Sequence, residues 1–249
     1  MSLHIQFIGT GSAFAKAYYN TNALVRTESF SLLIDCGYTA ARAMHELGIG
    51  LDEIDAILIT HIHADHVGGL EEFAFQSMYR YKKRIRLLVP FDIKDSLWNH
   101  SLRGGLENAH EGLNRLEDYF DVVTLEPDTV ITLQPELNVK LLPSLHIPGK
   151  PSYSLLLNDR FFYSADSQFN SEQLHQLHAS GCKLMMHDCQ LTSPGAVHAS
   201  LEELLTLPEE LQASIWLMHY SDSMPSFIGK TGKMTFVEQG TIYKLDYEV

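Results

Sequence analysis

Residues 54–60 form a nearly continuous apolar run, rich in β-branched side chains, that ends in His61-Ile62-His63-Ala64-Asp65-His66 and then Gly68-Gly69. A run of this length and content predicts a buried strand. The charged and imidazole groups are thereby placed where a strand meets a turn. His61 and His63 stand two residues apart at the strand end, so they project to one side. Asp65 and His66 fall where the chain turns toward the next helix and point elsewhere. Four donors in six residues, aimed in two directions, suit two adjacent metal ions better than one. Imidazole with carboxylate is a donor set for zinc, and manganese or iron also fits.

Further donors close other predicted strands. His146 follows the strand over 139–145, Asp166 follows 161–164, His187-Asp188 closes 183–187, and His219 closes 214–219. A site assembled from several strand ends is the usual construction on an α/β scaffold. The remaining pattern agrees with that class. Strands are predicted at 3–8, 23–26, 31–35, 122–125 and 130–133, and a hairpin at 154–164 turns at Asn158-Asp159-Arg160. Helices are predicted at 39–47, 171–179 and 199–207, residues 70–120 read as mostly helical, and residues 234–245 read as a second hairpin. No repeat or long linker divides the sequence, so one domain over residues 1–249 is expected.

Charge limits the partners. With 18 basic and 31 acidic side chains the net charge is −13, which repels large nucleic acids and anionic membranes. No apolar run approaches the roughly 20 residues that span a bilayer, and residues 1–8 carry no basic leader segment. Cys36, Cys182 and Cys189 lack paired spacing and read as free thiols of a reducing, cytoplasmic compartment.

Read in order, Gly9-Thr10-Gly11-Ser12-Ala13, Asn22-Ala23-Leu24-Val25, Leu33-Ile34-Asp35-Cys36-Gly37, Thr60-His61-x-His63-x-Asp65-His66-x-Gly68-Gly69, Ser164-Ala165-Asp166 and Met218-His219-Tyr220-Ser221 resemble the metallo-β-lactamase superfamily. Within it they are most similar to the RNase Z-like phosphodiesterase branch. The resemblance covers residues 3 to about 222. It implies an αββα sandwich of two mixed sheets flanked by helices, with two divalent ions, Zn²⁺ or Mn²⁺. One ion would take His61, His63 and His146, the other Asp65, His66 and His219, and Asp166 would bridge them. Segment Val197-His198-Ala199-Ser200 resembles the His-Ser-Thr loop of RNase Z enzymes and gives His198 an acid–base role. Asp35 and Asp188 are candidates to hold the ligating imidazoles from behind.

Two such ions suit phosphodiester hydrolysis by an activated hydroxide, with Asp65 orienting it or taking its proton. Within the branch, transfer-RNA 3′ processing is disfavoured. The surface is acidic, His146 to Asp166 spans too few residues for the protruding arm of those enzymes, and Tyr38-Thr39-Ala40 replaces their usual Glu-Gly-Thr. The compact chain resembles instead the anti-Pycsar-type cyclic nucleotide phosphodiesterases. These degrade cyclic mononucleotides (cCMP, cUMP, cAMP and cGMP), act as homodimers and share an insertion similar to residues 96–107. A lactone or acyl hydrolase and a non-catalytic metal-binding module are the other readings.

Several signals point elsewhere. Gly9-x-Gly11 lacks the third glycine of a dinucleotide fingerprint. The basic run 79–86 reads as a solvated helix end rather than a nucleic-acid patch. Phe91, Trp98, Tyr119 and Phe120 are candidates for core before base stacking. Tyr18, Asn20, Tyr220 and Ser221 are weaker candidates for phosphate contacts.

Overall fold

A computed structural model describes residues 3–245. It contains two mixed seven-stranded sheets flanked by helices. The described chain divides into two compact units. The first holds the chain up to Gly9, Tyr19–Glu126 and the segment from Gln239; the second holds Thr10–Tyr18 and Pro127–Glu238.

In the first unit the strands are β1 (Leu3–Gly9), β2 (Asn22–Arg26), β3 (Ser31–Ile34), β4 (Ala56–Leu58), β5 (Arg86–Pro90) and β6 (Asp121–Leu125), with β14 (Ile242–Leu245) beside β1. Pairing is antiparallel from β14 through β3 and parallel from β3 through β6. In the second unit β7 (Val130–Gln134), β8 (Leu137–Pro143), β9 (Tyr153–Leu157) and β10 (Phe161–Tyr163) form an antiparallel meander. Strands β11 (Leu184–Asp188), β12 (Ile215–Met218) and β13 (Thr235–Phe236) then continue it in parallel. Each unit thus runs three antiparallel steps and then three parallel ones, although the sequence shows no repeat.

Burial explains where the strands lie. Residues of β4 and β11 are all buried, as expected for parallel strands covered on both faces. β8 alternates buried and half-buried residues, which is the pattern of a strand with one wetter face. The hairpin between β9 and β10 turns at Asn158 and Asp159, both with positive φ (53° and 55°), the signature of a two-residue primed turn. Asn170 caps the helix Ser171–Ala179 through its side chain. Ser200 and Glu203 form a reciprocal capping box on the helix Leu201–Leu204.

Two expectations fail here. Residues 86–90 are a mostly buried strand inside the stretch read as helical, because the short apolar run Leu87-Leu88-Val89 has no periodicity to separate strand from helix. Residues 235–236 and 242–245 are strands but not a hairpin. β13 pairs with β12 and β14 with β1, so they lie in different sheets.

One glycine fixes how β3 hands over to the donor segment. A Cβ on Gly37 would lie 2.0 Å from the carbonyl oxygen of Asp65 and 2.7 Å from its carbon, both backbone atoms that cannot rotate away. Gly37→Ala is expected to cost about 1–3 kcal/mol of strain, lowering Tm by roughly 2–12 °C in a chain of this size. Gly104→Ala, which meets nothing within 4 Å, should leave Tm unchanged or raise it. An unshifted Tm for Gly37→Ala in thermal unfolding would contradict this contact.

Candidate metal centre

The first unit gathers its donors around a buried carboxylate. β3 ends at Ile34, and Asp35 follows with φ 60°, a left-handed conformation that a non-glycine residue adopts at a cost. The Asp35 amide donates to Leu58 O of β4 (2.8 Å), which turns the carboxylate toward the end of β4. There Thr60 donates to it twice, from N–H to Oδ1 (2.9 Å) and from Oγ1 to Oδ2 (2.8 Å). His66 Nδ1 lies 2.8 Å from Oδ2. A carboxylate oxygen only accepts, so this nitrogen carries the proton and Nε2 is the basic one.

The same reasoning reaches His61. Thr60 Oγ1 gives its one proton to Asp35, so at 3.1 Å from His61 Nδ1 it acts as an acceptor. His61 therefore also holds its proton on Nδ1. Its Nε2 lies 3.0 Å from His63 Nδ1, and the His61 and His66 rings are 4.1 Å apart. His63 precedes the short helix Ala64–Val67, which carries Asp65 and His66. Asp65 Oδ2 is 3.3 Å from His66 Nε2. Cys36 N donates to His66 O (2.7 Å), and Gly69 N donates to Cys36 O (2.8 Å). Tyr38 N donates to Ala64 O (3.2 Å), so the loop after β3 ties down both ends of the donor helix. Burial pushes the Asp35 carboxyl above its usual range, and His66 and Thr60 pull it part of the way back.

The second unit repeats the device. Asp188 closes β11 and is fully buried. Its Oδ2 accepts from His198 Nδ1 (2.6 Å) and from Ser167 N (3.1 Å), and its Oδ1 lies 3.3 Å from His219 Nδ1. Burial alone would raise this carboxyl, but the neighbouring His198 and His219 outweigh it and hold it below the usual range. His219 directly follows β12 with φ 59°, and Ala165, just before Asp166, has φ 49°. Asp166 Oδ1 is 3.4 Å from His219 Nε2, and its Oδ2 is 3.7 Å from His146 Nε2. His146 sits in the loop after β8 and gives its Nδ1 proton to Val197 O (2.7 Å). Burial lowers its pKa against the pull of Asp166, which favours a neutral imidazole. One atom from each of Asp166, Asp188, His198 and His219 lies within 4.8 Å of the others.

The eight residues expected to bind metal or serve in acid–base chemistry therefore lie in two groups. His61, His63, Asp65 and His66 gather in the first unit; His146, Asp166, His198 and His219 gather in the second. The donor chemistry fits divalent cations in both. Imidazoles are pinned through one nitrogen by carboxylate, carbonyl or hydroxyl, and the other nitrogen is left basic beside a second donor, the arrangement that metal-binding histidines require. Asp35 and Asp188, the candidates to support the imidazoles, lie against these rings, Asp35 on His66 and Asp188 on His198 and His219. His198 is not a helix cap, since Ser200 fills that role; its ring stacks on His219 at 5.0 Å. Burial would lower the His198 pKa, but the charge and hydrogen bond of Asp188 reverse this and raise it. No sequence pattern marked the Thr60 relay or the strained Ala165. The order threonine then histidine at a strand end was the one available clue.

Other candidates are structural. Tyr220 is buried, donates to Val237 O (2.8 Å) and packs edge-on against Tyr18. Asn20 accepts from Thr39. In the basic run, Lys83 ties down Asp52 O and Ile54 O, and Arg84 ties down Glu117 O and Phe120 O. Trp98, Tyr119 and Phe120 are core, whereas Phe91 is exposed. The three thiols are free and buried, and burial raises each, so they are poor nucleophiles and poor soft-metal ligands.

The Thr60 relay yields a direct test. Thr60→Val keeps the shape but removes the oxygen that accepts from His61 and the proton given to Asp35. Affinity for Zn²⁺, read by competition with a chelator at a temperature where circular dichroism shows both proteins folded, is expected to fall about 10- to 100-fold, and the metal-free protein is expected to lose about 1–3 kcal/mol of stability with the hydrogen bond to Asp35. Unchanged affinity would show that the relay does not orient His61.

The comparisons with known proteins agree with this geometry. The metallo-β-lactamase fold protein YhfI from Bacillus subtilis matches with a TM-score of 0.77 at 16% identity, covering 98% of this chain and all of that one. A diphosphatase from the PhnP family matches with a TM-score of 0.76 at 17% identity, covering 98% of each chain. At such identities the likeness shows the fold, which is the metallo-β-lactamase fold. Sequence comparison goes further. An anti-Pycsar protein Apyc1 from Paenibacillus xerothermodurans is 62% identical over 244 residues, 98% of each chain. The family model for anti-Pycsar protein Apyc1 matches residues 3–243. This chain, with its pinned histidines and buried carboxylates at strand ends, belongs to the anti-Pycsar protein Apyc1 family.

Proposed function

We propose that the chain is a dinuclear metal-dependent phosphodiesterase that opens the phosphate ring of cyclic mononucleotides (cCMP, cUMP, cAMP, cGMP) to linear nucleotides. The supporting observation is the paired set of oriented donors, four in the first unit and three in the second, in a member of this family. In this reading the two units act together as one hydrolase domain. One divalent ion would be held by His61, His63 and His146, the other by Asp65, His66 and His219, with Asp166 available to both. Zinc matches the nitrogen-rich donor set, and manganese is the second choice. Two divalent ions supply positive charge to the phosphoryl oxygens and acidity to water.

The chain's own residues do the rest. Asp35, Thr60, the Val197 carbonyl and Asp188 keep the imidazoles from turning, so the donors are set before substrate arrives. Asp65 takes or directs the proton of the attacking water. As that water's oxygen bonds to phosphorus, the bond from phosphorus to one ribose oxygen breaks. His198, fixed through Nδ1 by Asp188, donates its Nε2 proton to the departing ribose oxygen. The acidic surface disfavours large RNA without hindering a single compact phosphate. The chain is proposed to work as a cytoplasmic homodimer, as the resemblance implies. Among the described residues no helix is long and apolar enough to cross a membrane.

Incubation of the metal-loaded protein with the four cyclic mononucleotides, a cyclic dinucleotide, a lactone and a precursor transfer RNA tests this reading. Linear mononucleotides are the expected products, with no RNA trimming. Turnover of RNA or lactone alone would contradict it. His63→Ala and Asp166→Ala are expected to lower turnover by at least about 100-fold with folding retained by circular dichroism. Full activity in either would remove that residue from the site.

A further inference from the structure

Phe14 is the most exposed of the large apolar side chains among the described residues, at 89% of its surface. It does not belong to a loose loop. Ser12 N donates to Tyr220 O (3.0 Å) and Ala15 N to Ser12 O (3.1 Å). The Asp222 carboxylate accepts from Lys16 N (2.9 Å) and Ala17 N (2.8 Å). A Cβ on Gly11 would meet Ala15 and Tyr18 at 2.8 Å. The backbone around Phe14 is therefore tied at several points while its ring is offered to solvent. Leaving a whole phenyl ring in water forgoes about 1.5–3 kcal/mol of burial. A rigid loop that presents such a ring is suited to receive a partner at little ordering cost.

Phe14 is among the residues that line a cavity of about 410 Å³ within the second unit, a size suited to small ligands. Residues 12–15, 190–192 and 221–223 form it, together with His198 and His219. Its chemistry excludes a phosphate as the occupant of the outer part. No lysine or arginine lines it, and Asp222, the one carboxylate there, is negative. Apart from the histidines, the lining is mainly apolar surface from Ala13, Phe14 and Leu191 and hydroxyls from Ser12, Thr192 and Ser221. Such a surface fits an uncharged planar ring with hydrogen-bonding edges.

We propose that this cavity is the base subsite of the cyclic mononucleotide, with Phe14 as the platform on which the base stacks. The inference rests on the function proposed above, since His198 and His219 would then face the phosphate while the base lies along residues 12–15. Stacking is tolerant of base identity because every base has a π-face. The platform thus accepts pyrimidines and purines alike.

Kinetics of Phe14→Ala and Phe14→Trp test the assignment on two substrates: a cyclic mononucleotide, and the cyclic phosphate of 1-deoxyribose, which has no base. Phe14→Ala is expected to raise KM for the nucleotide about 5- to 150-fold with kcat nearly unchanged. KM for the baseless ester should stay the same, and Phe14→Trp should restore the nucleotide value. Titration with a nucleoside 5′-monophosphate reads the same contact without turnover and should weaken by a similar factor in Phe14→Ala. Unchanged KM and binding in Phe14→Ala, with the unaltered protein turning over both esters, would overturn the subsite and leave the function standing. Equal losses on both esters would also overturn it, because they mean that Phe14 supports the loop or an interface rather than the base. If the unaltered protein turns over neither ester, the function itself fails and the subsite with it.

Discussion

A carboxylate with no access to water must have its oxygens satisfied by donors, and much of this structure follows from two such groups. Asp35 and Asp188 each close a parallel strand in the interior of a unit, where burial opposes their charge. Each accepts from an imidazole N–H, joined by Thr60 at Asp35 and by the Ser167 amide at Asp188. An imidazole that donates one nitrogen to a carboxylate presents the other as a base in a fixed direction. The requirement of a buried charge is thus met by orienting the candidate metal-binding imidazoles. Removing either carboxylate would leave the strand ends in place but let the rings turn.

The two units reach this result along the same route. Antiparallel strands bring the chain to the middle of each sheet, and parallel strands then end side by side, so that the residues beyond them crowd together. In the first unit Asp35 follows β3, and Thr60 and His61 lie just beyond β4. In the second, Asp166 lies just beyond β10, Asp188 ends β11 and His219 follows β12. Positive φ at Asp35, Ala165 and His219 shows backbone strain held at these ends, where the packed strands hold the chain in an otherwise costly conformation.

Much of this was legible in the sequence. The density of donors after residues 54–60 marked the centre, because few other needs gather three histidines and an aspartate in six residues. The strand ends at Asp166 and His219 were legible because apolar runs stop there. The Thr60 relay was not, since a threonine before a histidine carries no pattern of its own; it emerges from counting one hydroxyl proton among two neighbours. β5 was hidden because so short an apolar run, Leu87-Leu88-Val89, carries no period. The separation of β13 from β14 was hidden because two short strands around a glycine look alike whether they pair with each other or with different sheets. The exposed ring of Phe14 was invisible for the opposite reason: a sequence reports an apolar side chain and not whether it is buried.

The central claim is that oriented histidines and aspartates hold a pair of divalent ions that act on a cyclic phosphodiester. It is tested most directly by adding Zn²⁺ or Mn²⁺ stepwise to metal-stripped protein while following bound metal and cyclic mononucleotide hydrolysis together. The account predicts saturation at two ions per chain, with activity rising as the second ion binds. Saturation with no tightly bound ion, or full hydrolysis by the stripped protein, would contradict it.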